Sequence, residues 1–364
     1  MGVKLRQQHS KILKGRKQKI DRRLKRKQWE DQERPMFKGR NIHYEVAEKI
    51  QAIRCGGIGA IHQMVQRSGL VEEINAKVKL LKVHVPYHES DHVLNIAYNI
   101  LVGGMRLEDI ELNRNNEGYL NAVGAQRIPD PTTAGDFTRR FTPEDIGSLM
   151  ESINTVRSRV WAEGRKEKWK EALIDVDGTI AGTYGECKGG MNLSHKGIWG
   201  YAPLIVSFAN TKEVLYLENH PGNVASHDGS VKWIDRAIEV VKPYAEEICI
   251  REDTDFSLTG NFDRWSERVD FVFGMDARAV LIKRAGELPE EAWNALVRKP
   301  RYAVKTQQRQ KPENRKEELV KEKGYKNIRL TGERVAEFEY QPGKCEKICV
   351  GKELERGKRR EGAI

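Results

Sequence analysis

Two short apolar runs, each ending in a pair of carboxylates, constrain the fold of this 364-residue chain more than any other feature. The first run reads EALIDVDGTIAGT and carries Asp175 and Asp177. The second reads EICIREDTDFSL and carries Asp253 and Asp255. Both runs have the length and the apolar composition of β-strands, so they predict two strands with acids at their ends.

These four acids predict a metal site if the two strands are neighbours. Residues two apart on a strand share a face. Strand alternation therefore does not show which acid of each pair binds the metal, Asp175 or Asp177 in the first and Asp253 or Asp255 in the second. Carboxylates gathered at strand ends repel one another unless a cation lies between them, and a divalent cation with oxygen ligands meets that need. We therefore expect a Mg²⁺-type site on a mixed sheet.

The positive charge of the chain is concentrated near its N-terminus. The formal net charge is +11, and residues 1–30 contain only Asp21 and Glu30 as acids. The basic residues of this arm are Lys4, Arg6, Lys11, Lys14, Arg16, Lys17, Lys19, Arg22, Arg23, Lys25, Arg26 and Lys27. Such an arm attracts a polyanion, most commonly nucleic-acid phosphate. Beside a metal site suited to phosphodiester chemistry, it predicts double-stranded DNA as a partner; the alternative is a solvated tail.

The sequence disfavours membrane and disulfide-rich proteins. Its longest apolar runs fall far short of the roughly 18 residues that a spanning helix needs, and its basic N-terminus lacks the apolar core of a signal peptide. Its five cysteines are odd in number and scattered, which argues against a disulfide framework. We expect a cytoplasmic protein without a membrane partner.

The pattern of apolar residues divides the chain into four regions. Residues 1–40 are charged and predict a flexible basic arm. Residues 41–168 have helical periodicity, which favours an all-α domain able to bind DNA. Residues 169–282 are rich in strand patterns, and residues 283–364 mix charged and strand-like pieces, which indicates the start of an insertion followed by an aberrant tail.

The helical region contains one well-marked helix. Thr142 fits an N-cap and Pro143 fits the first helical position, so a long helix is expected from about 143 to 164. Shorter helices are expected near 44–54, 58–67, 70–83 and 90–102.

The order of elements after residue 168 predicts an α/β fold. Strands are expected near 171–177, 200–209, 213–218, 247–252 and 270–274, with helices near 228–244 and 258–268 and a further helix in LPEEAWNALVR. Three strands that form a meander, then a helix crossing to a strand beside the first, give a ribonuclease H-like mixed sheet with flanking helices. This order places Asp177 next to Asp253.

The block LIDVDGTI resembles the first motif of the haloacid dehalogenase-like phosphatases. That resemblance implies a Mg²⁺-dependent phosphatase in which Asp175 is the nucleophile and Asp177 the acid and base. A helix should then follow soon after the motif. Here DGT is followed instead by a glycine-rich loop, GECKGGMNLSHKG.

A second resemblance covers seven ordered blocks from about residue 52 to residue 342. They read CGGIGAIHQMV, VPYHESDHVLNIAYNILVGG, RIPDPTTAGDFTRRF, DGTIAGTYGECKGGM, WGYAPLIVSFANTKEVLYLENHPGN, REDTDFSLTGNFDRW and FVFGMDA. In these blocks the chain resembles the cut-and-paste DDE transposases of bacterial insertion sequences, which have an insertion in a ribonuclease H-like fold. The resemblance implies that Asp177 and Asp253 are catalytic acids and ligands of two Mg²⁺ or Mn²⁺ ions.

The transposase resemblance also implies partners and a third acid. The expected partners are terminal inverted repeats and target DNA, bound by a dimer in a nucleoid-associated bacterial protein. The third acid is a Glu within a pattern of Tyr, Arg, Glu and Lys that this sequence does not contain after Asp253. Glu317 and Glu318 lack that pattern, so we expect a chain truncated at its C-terminus, with poor catalysis. The non-catalytic alternative is a DNA-binding remnant.

Overall fold

The computed structural model describes residues 2–25, 31–37, 55–184, 188–276, 278–295, 334–346 and 349–355. The helix predicted at 44–54 and the charged segment with Glu317 and Glu318 lie outside the described residues. No helix within the described part is both long and apolar enough to cross a membrane.

The N-terminal part is helical, and helices α2 to α8 lie in the region predicted to be all-α. Its helices are α1 Gly2–Leu24, α2 Ile58–Arg67, α3 Leu70–Lys77, α4 Glu89–Leu101, α5 Ile110–Arg114, α6 Glu117–Ala122, α7 Pro131–Thr138 and α8 Pro143–Gly164. The bounds of α2 and α8 agree with the sequence prediction, whereas α3 ends at Lys77 instead of continuing to residue 83.

Helix α8 begins where its capping residues require. The Thr142 hydroxyl accepts a hydrogen bond from the backbone N–H of Asp145, and the Asp145 carboxylate accepts one in return from the Thr142 backbone N–H. Pro143 occupies the first helical position, where no backbone donor is needed. This reciprocal arrangement satisfies two donors that helix geometry leaves unpaired.

Helix α1 differs from the mobile arm expected from the charge pattern. Its side chain at Ile20 is buried in the core of the helical region. The guanidinium of Arg23 donates to the carboxylate of Glu117 at 3.2 Å and to the backbone carbonyl of Gln126. Ile20 and Leu24, which also packs against this core, form only a short apolar stripe on a strongly polar helix, so periodicity alone does not reveal the packing.

A buried carboxylate organises the start of α4. Asp91 is fully buried, and its two oxygens accept hydrogen bonds from the backbone N–H groups of Met36, Phe37 and His88 at 2.8–2.9 Å. Burial raises the pKa of Asp91 to about 6, against the effect of these three donors. The carboxylate therefore fixes residues 36–37 onto α4, where Phe37 stacks on Tyr98.

The central sheet has five strands in the order β6-β5-β1-β7-β8. Its strands are β1 Trp169–Gly178, β5 Leu204–Phe208, β6 Glu213–Glu218, β7 Ala245–Glu252 and β8 Asp270–Phe273. β1 pairs with β5 antiparallel and β7 pairs with β8 parallel, so the sheet is mixed. The predicted neighbourhood of the first and fourth strands is confirmed, because β1 lies beside β7.

Helices and short sheets complete the C-terminal part. The helices are α9 Ser230–Val241, α10 Phe262–Ser266 and α11 Ala279–Gly286. One small sheet joins β2 Ala181–Gly182, β3 Asn192–Leu193 and β4 Trp199–Tyr201; another joins β9 Asn294–Ala295, β10 Arg334–Tyr340 and β11 Cys349–Glu355.

Two element predictions were wrong. The strand expected over 200–209 is divided into β4 and β5, which belong to different sheets, because Pro203 between them has no N–H to donate. The helix expected in LPEEAWNALVR is a 3₁₀ turn, Glu290–Ala292, followed by β9. Trp293 adopts an extended conformation there, and β9 pairs with β10.

Two compact units make up the chain. One comprises Met1–Lys170, Glu213–Tyr216 and Asp235–Glu246, and contains the helical core. The other comprises Glu171–Lys212, Leu217–Ile234 and Glu247–Ile364. The carboxylates predicted to bind metal all belong to the second unit.

We expect the stability of the helical unit to fall in mild acid because of His92. Its ring is 4% exposed and stacks on Phe137, and burial lowers its pKa to about 4. A histidine whose folded pKa is depressed stabilises the fold above its unfolded pKa of about 6.5 and loses that contribution as pH falls. Between pH 8 and pH 5 the loss amounts to about 2 kcal/mol.

Urea unfolding at both pH values tests this expectation. His92→Gln should remove about 2 kcal/mol of the pH dependence, whereas His195→Gln, at an exposed position, should leave it unchanged. An unaltered pH dependence in His92→Gln would show that the ring titrates normally.

Candidate functional site

Strand β1 presents its two acids on one face. Ala172, Ile174 and Val176 alternate as buried residues, so Asp175 and Asp177 project from the opposite face. Asp177 is exposed and pairs with Ile205 of β5 in the strand register. The strand therefore combines a buried apolar face with a carboxylate-bearing face at its C-terminal end.

The turn after Asp177 is tightly packed. A Cβ atom added to Gly178 would lie 2.5 Å from the Cβ of Ser226, closer than side chains approach one another. Glycine at position 178 thus lets residue 226 lie directly against the end of β1.

Asp253 follows the last residue of β7. Its Oδ1 accepts a hydrogen bond from the backbone N–H of Asp255 at 3.1 Å and caps the 3₁₀ turn Thr254–Phe256. Phe256 is fully buried, which anchors the turn. The carboxylate of Asp253 is consequently held at the C-terminal end of β7 with one oxygen engaged by the backbone.

Asp175 is already paired with a cation. The Arg251 guanidinium donates from Nε to Oδ1 at 2.7 Å and from Nη2 to Oδ2 at 2.9 Å. The hydrogen bonds to Asp175 raise the pKa of Arg251. This bidentate contact joins β7 to β1 and neutralises Asp175, so the two acids of β1 lie in different electrostatic environments.

Asp177 and Asp253 act on each other electrostatically. The pKa of Asp253 is raised by burial first, and then by repulsion from the charges of Asp255 and Asp177. Neither Asp177 nor Asp253 forms a salt bridge with another described residue. Two hard oxygen donors that repel each other fit a divalent cation such as Mg²⁺.

Glu252 is a buried acid that the sequence reasoning missed. Its side chain is 9% exposed, and neither carboxyl oxygen has a hydrogen-bond partner within the described part of the chain. Burial, reinforced by the charge of Asp253, raises its pKa to about 9. Strand alternation places Glu252 on the face of β7 opposite Arg251, and this is the signal that could have revealed its burial.

Other histidine and tryptophan side chains of the second unit lie in varied environments. His195 is exposed in a loop, and His220 lies 3.5 Å from the carboxylate of Glu218. Trp233 and Trp265 are buried in the core. Trp199 is exposed.

Comparison with known proteins identifies the family. A family model described as "Transposase DDE domain group 1" matches residues 52–327, most of the chain. The chain belongs to this DDE transposase family. The match confirms the predicted resemblance to DDE transposases and gives no support to the phosphatase resemblance.

A solved structure is also similar. It is a piggyBac transposase, determined by cryo-electron microscopy as a synaptic complex with hairpin DNA. The identity is 14% and the TM-score 0.31, over 85% of this chain and 61% of that one, so this chain spans less than two thirds of that protein's length. No match was found among curated proteins.

We expect the Asp175–Arg251 pair to contribute little stability. Both side chains are more than one third exposed, so solvent screens their attraction. A double-mutant cycle with Asp175→Asn and Arg251→Gln, measured by urea unfolding, should give a coupling free energy below about 1 kcal/mol. A coupling above about 2 kcal/mol would indicate a much stronger, desolvated pair.

Proposed function

We propose that this protein is a transposase of the insertion-sequence type, which cuts and joins DNA at element ends by metal-assisted in-line phosphoryl transfer. The observation that carries the proposal is that Asp177 lies at the C-terminal end of β1 and Asp253 follows the last residue of β7, the neighbouring strand of the central sheet. The charge of Asp177 also contributes to the raised pKa of Asp253. Family membership supplies the class of reaction.

In this proposal Asp177 and Asp253 hold Mg²⁺ or Mn²⁺, with two ions in the complete site. Bound there, the ions supply Lewis-acid stabilisation and activate a water or a DNA 3′-hydroxyl. Asp253 fixes one of its oxygens through the backbone of Asp255 and leaves the other for coordination. Asp175 acts outside the coordination sphere, because Arg251 occupies both of its oxygens.

The rest of the chain is assigned to DNA recognition. We assign residues 1–168, including the basic helix α1, to contacts with double-stranded terminal repeats, and residues 169–282 to catalysis. Phosphate contacts fix register, and contacts with bases or with DNA shape provide specificity. Since a mobile element has two ends, the assembly is a dimer on DNA.

A complete DDE site has a third acid in addition to Asp177 and Asp253. Because the sequence lacks the expected Glu pattern after Asp253, this chain holds its metal with fewer carboxylates than a complete DDE site. Cleavage of DNA strands by this chain is then slow. A metal-binding measurement is therefore a more sensitive test of the site than a cleavage assay.

Metal titration of the full chain tests the two acids. Mn²⁺ binding, followed by electron paramagnetic resonance, should weaken at least tenfold in Asp177→Asn because one of two anionic ligands is lost. Asp175→Asn is the matched control on the same strand face and should bind Mn²⁺ within about twofold of the unchanged chain. Equal losses in both variants would contradict the assignment.

Activity assays separate the candidate functions. Nicking of a plasmid that carries candidate terminal repeats, dependent on Mg²⁺ or Mn²⁺ and lost in Asp177→Asn, supports a transposase. Hydrolysis of small phosphate esters that depends on Asp175 would support a phosphatase instead. DNA binding with neither Mn²⁺ binding nor cutting would identify a non-catalytic remnant.

The DNA assignment of α1 predicts a change in salt dependence. Lys11, Lys14 and Lys19 are exposed on this helix. Replacing all three with Gln should reduce the slope of log affinity against log salt concentration by up to about 3, since each phosphate contact contributes about 0.9. Fluorescence anisotropy with a terminal-repeat duplex measures the slope. An unchanged slope would mean that α1 does not contact phosphate.

A further inference from the structure

An exposed aromatic surface lies on the small sheet formed by β2, β3 and β4. Trp199 of β4 is 56% exposed, and Leu193 of β3, which pairs with it directly across the sheet, is 45% exposed. Tyr201 is two residues further along β4 and is half-buried, and it shares the face of Trp199 because side chains alternate along a strand. We call the surface formed by Leu193, Trp199 and Tyr201 the Trp199 face.

The Trp199 face continues the face of β1 that bears the candidate metal ligands. Asp177 of β1 pairs with Ile205 of β5, and Ala181 of β2 pairs with Tyr201 of β4. The two pairs are four residues apart on both strands, so no extra residue interrupts the register. Because four is an even number, alternation places Asp177 and Tyr201 on the same face.

The backbone hydrogen bonds between these strands extend past Pro203. The N–H of Thr179 donates to the carbonyl of Pro203 at 3.0 Å, and the N–H of Thr183 donates to the carbonyl of Trp199 at 3.0 Å. Trp199 thus lies opposite a residue six positions after Asp177, about 20 Å along the strand at about 3.3 Å per residue. Stacked nucleotides in one DNA strand rise about 3.4 Å each, so about six of them span this distance.

The strand that carries Trp199 is held on both edges. Gly200 pairs with Gly182 of β2 on one edge and with Asn192 of β3 on the other. A Cβ atom added to Gly200 would lie 2.1 Å from the carbonyl oxygen of Ala181, so the strands approach this closely only because residue 200 is glycine. Trp199 therefore projects from a central strand whose position is fixed by its neighbours.

The turn between β3 and β4 is closed by Ser194. This residue is buried, and its hydroxyl accepts a hydrogen bond from the backbone N–H of Ile198 at 3.1 Å. Gly197 adopts a left-handed conformation, with a φ of 71°, and its N–H donates to the Ser194 carbonyl at 2.9 Å. The closed turn leaves His195 and Lys196 exposed at the end of the hairpin that carries Trp199.

The charge around the Trp199 face is positive. The described residues 178–184 and 188–203 contain Lys188 and Lys196 but no Asp or Glu, and both lysines are exposed. The Lys188 ammonium donates to the hydroxyl of Thr183, the residue opposite Trp199, so its charge is held next to this face. Exposed aromatic rings beside cations are the arrangement that binds single-stranded nucleic acid, because every base has a π-face and every phosphate is anionic.

We propose that the Trp199 face binds a single strand of DNA, with the indole of Trp199 stacked on an unpaired base. Lys188 and Lys196 contact phosphates of that strand, and its path leads along one face of the ribbon toward Asp177. The identity of the strand as DNA rests on the proposed function. The stacking surface itself rests on the exposure, register and charge of the hairpin.

Fluorescence anisotropy of the full chain with a labelled oligothymidylate of about 12 nucleotides tests the Trp199 face. We expect Trp199→Ala to weaken binding about tenfold, the usual effect of losing one stacked base. Trp199→Phe keeps an aromatic ring and should bind within about threefold of the unchanged chain. Trp199→Leu, which is apolar but not aromatic, should bind as weakly as Trp199→Ala.

Ile198→Ala is the matched control on the same strand. Ile198 is 42% exposed, but it lies on the opposite face, where its Cγ2 would be 3.2 Å from a Cβ atom at Gly182. This variant should bind the oligonucleotide within about twofold of the unchanged chain. An equal loss in Ile198→Ala and Trp199→Ala would contradict a stacking role for Trp199.

Two further measurements keep the result independent of folding and of the metal assignment. Circular dichroism establishes that each variant folds, with Trp199→Leu as the second variant if Trp199→Ala does not. Trp199→Ala should bind Mn²⁺ as the unchanged chain does, so loss of the stacking surface and loss of the metal site are separate results. If the oligonucleotide does not bind, or binds Trp199→Ala and Trp199→Leu as tightly as the unchanged chain, the proposal is overturned whatever the outcome for Mn²⁺.

Discussion

The neighbouring positions of β1 and β7 are the constraint on which the candidate active site depends. Adjacent strands lie about 4.8 Å apart, whereas a strand placed between them would double that distance. The buried residues Ile174, Val176 and Ile250 hold both strands in one apolar layer. The link between Asp175 and Arg251, 76 residues apart in the chain, is direct evidence of their adjacency. Asp177 and Asp253 therefore act on each other electrostatically. Neither acid forms a salt bridge with a basic side chain within the described part.

Much of the fold could be predicted because its signals are local. The cap at Thr142 gives the start of α8, and the sequence of strand and helix patterns gives the order of the central sheet. Signals that depend on tertiary contacts were weaker. Helix α1 packs through Ile20 and Leu24, two apolar residues in a strongly charged segment, and β9 forms where it can pair with β10. Local propensity does not encode either contact.

The sequence predicts the group of acids that forms the site, but it does not predict the role of each acid. Asp175 and Asp177 share a strand face. They differ because Asp175 is paired with the guanidinium of Arg251, which lies on another strand. Glu252 lies beside Asp253 in sequence but on the buried face of β7, where it is protonated at neutral pH. The contacts of His84 with Asp31 and of His88 with Gln32 are similarly hidden, because they join segments that are distant in sequence. These differences in environment arise from contacts between segments that are distant in the chain, and the periodicity of apolar residues does not predict such contacts.

The close approach at Gly178 has a consequence for how this protein can vary. Even alanine at that position would press on Ser226, and relieving the clash would require movement of the end of the strand that bears Asp177 or of the turn that contains Ser226. Where the strand moves, a substitution at residue 178 would shift the neighbouring carboxylate of Asp177 rather than unfold the protein. A compensating glycine at 226 would restore the space, so these two positions should vary together among descendants of this chain.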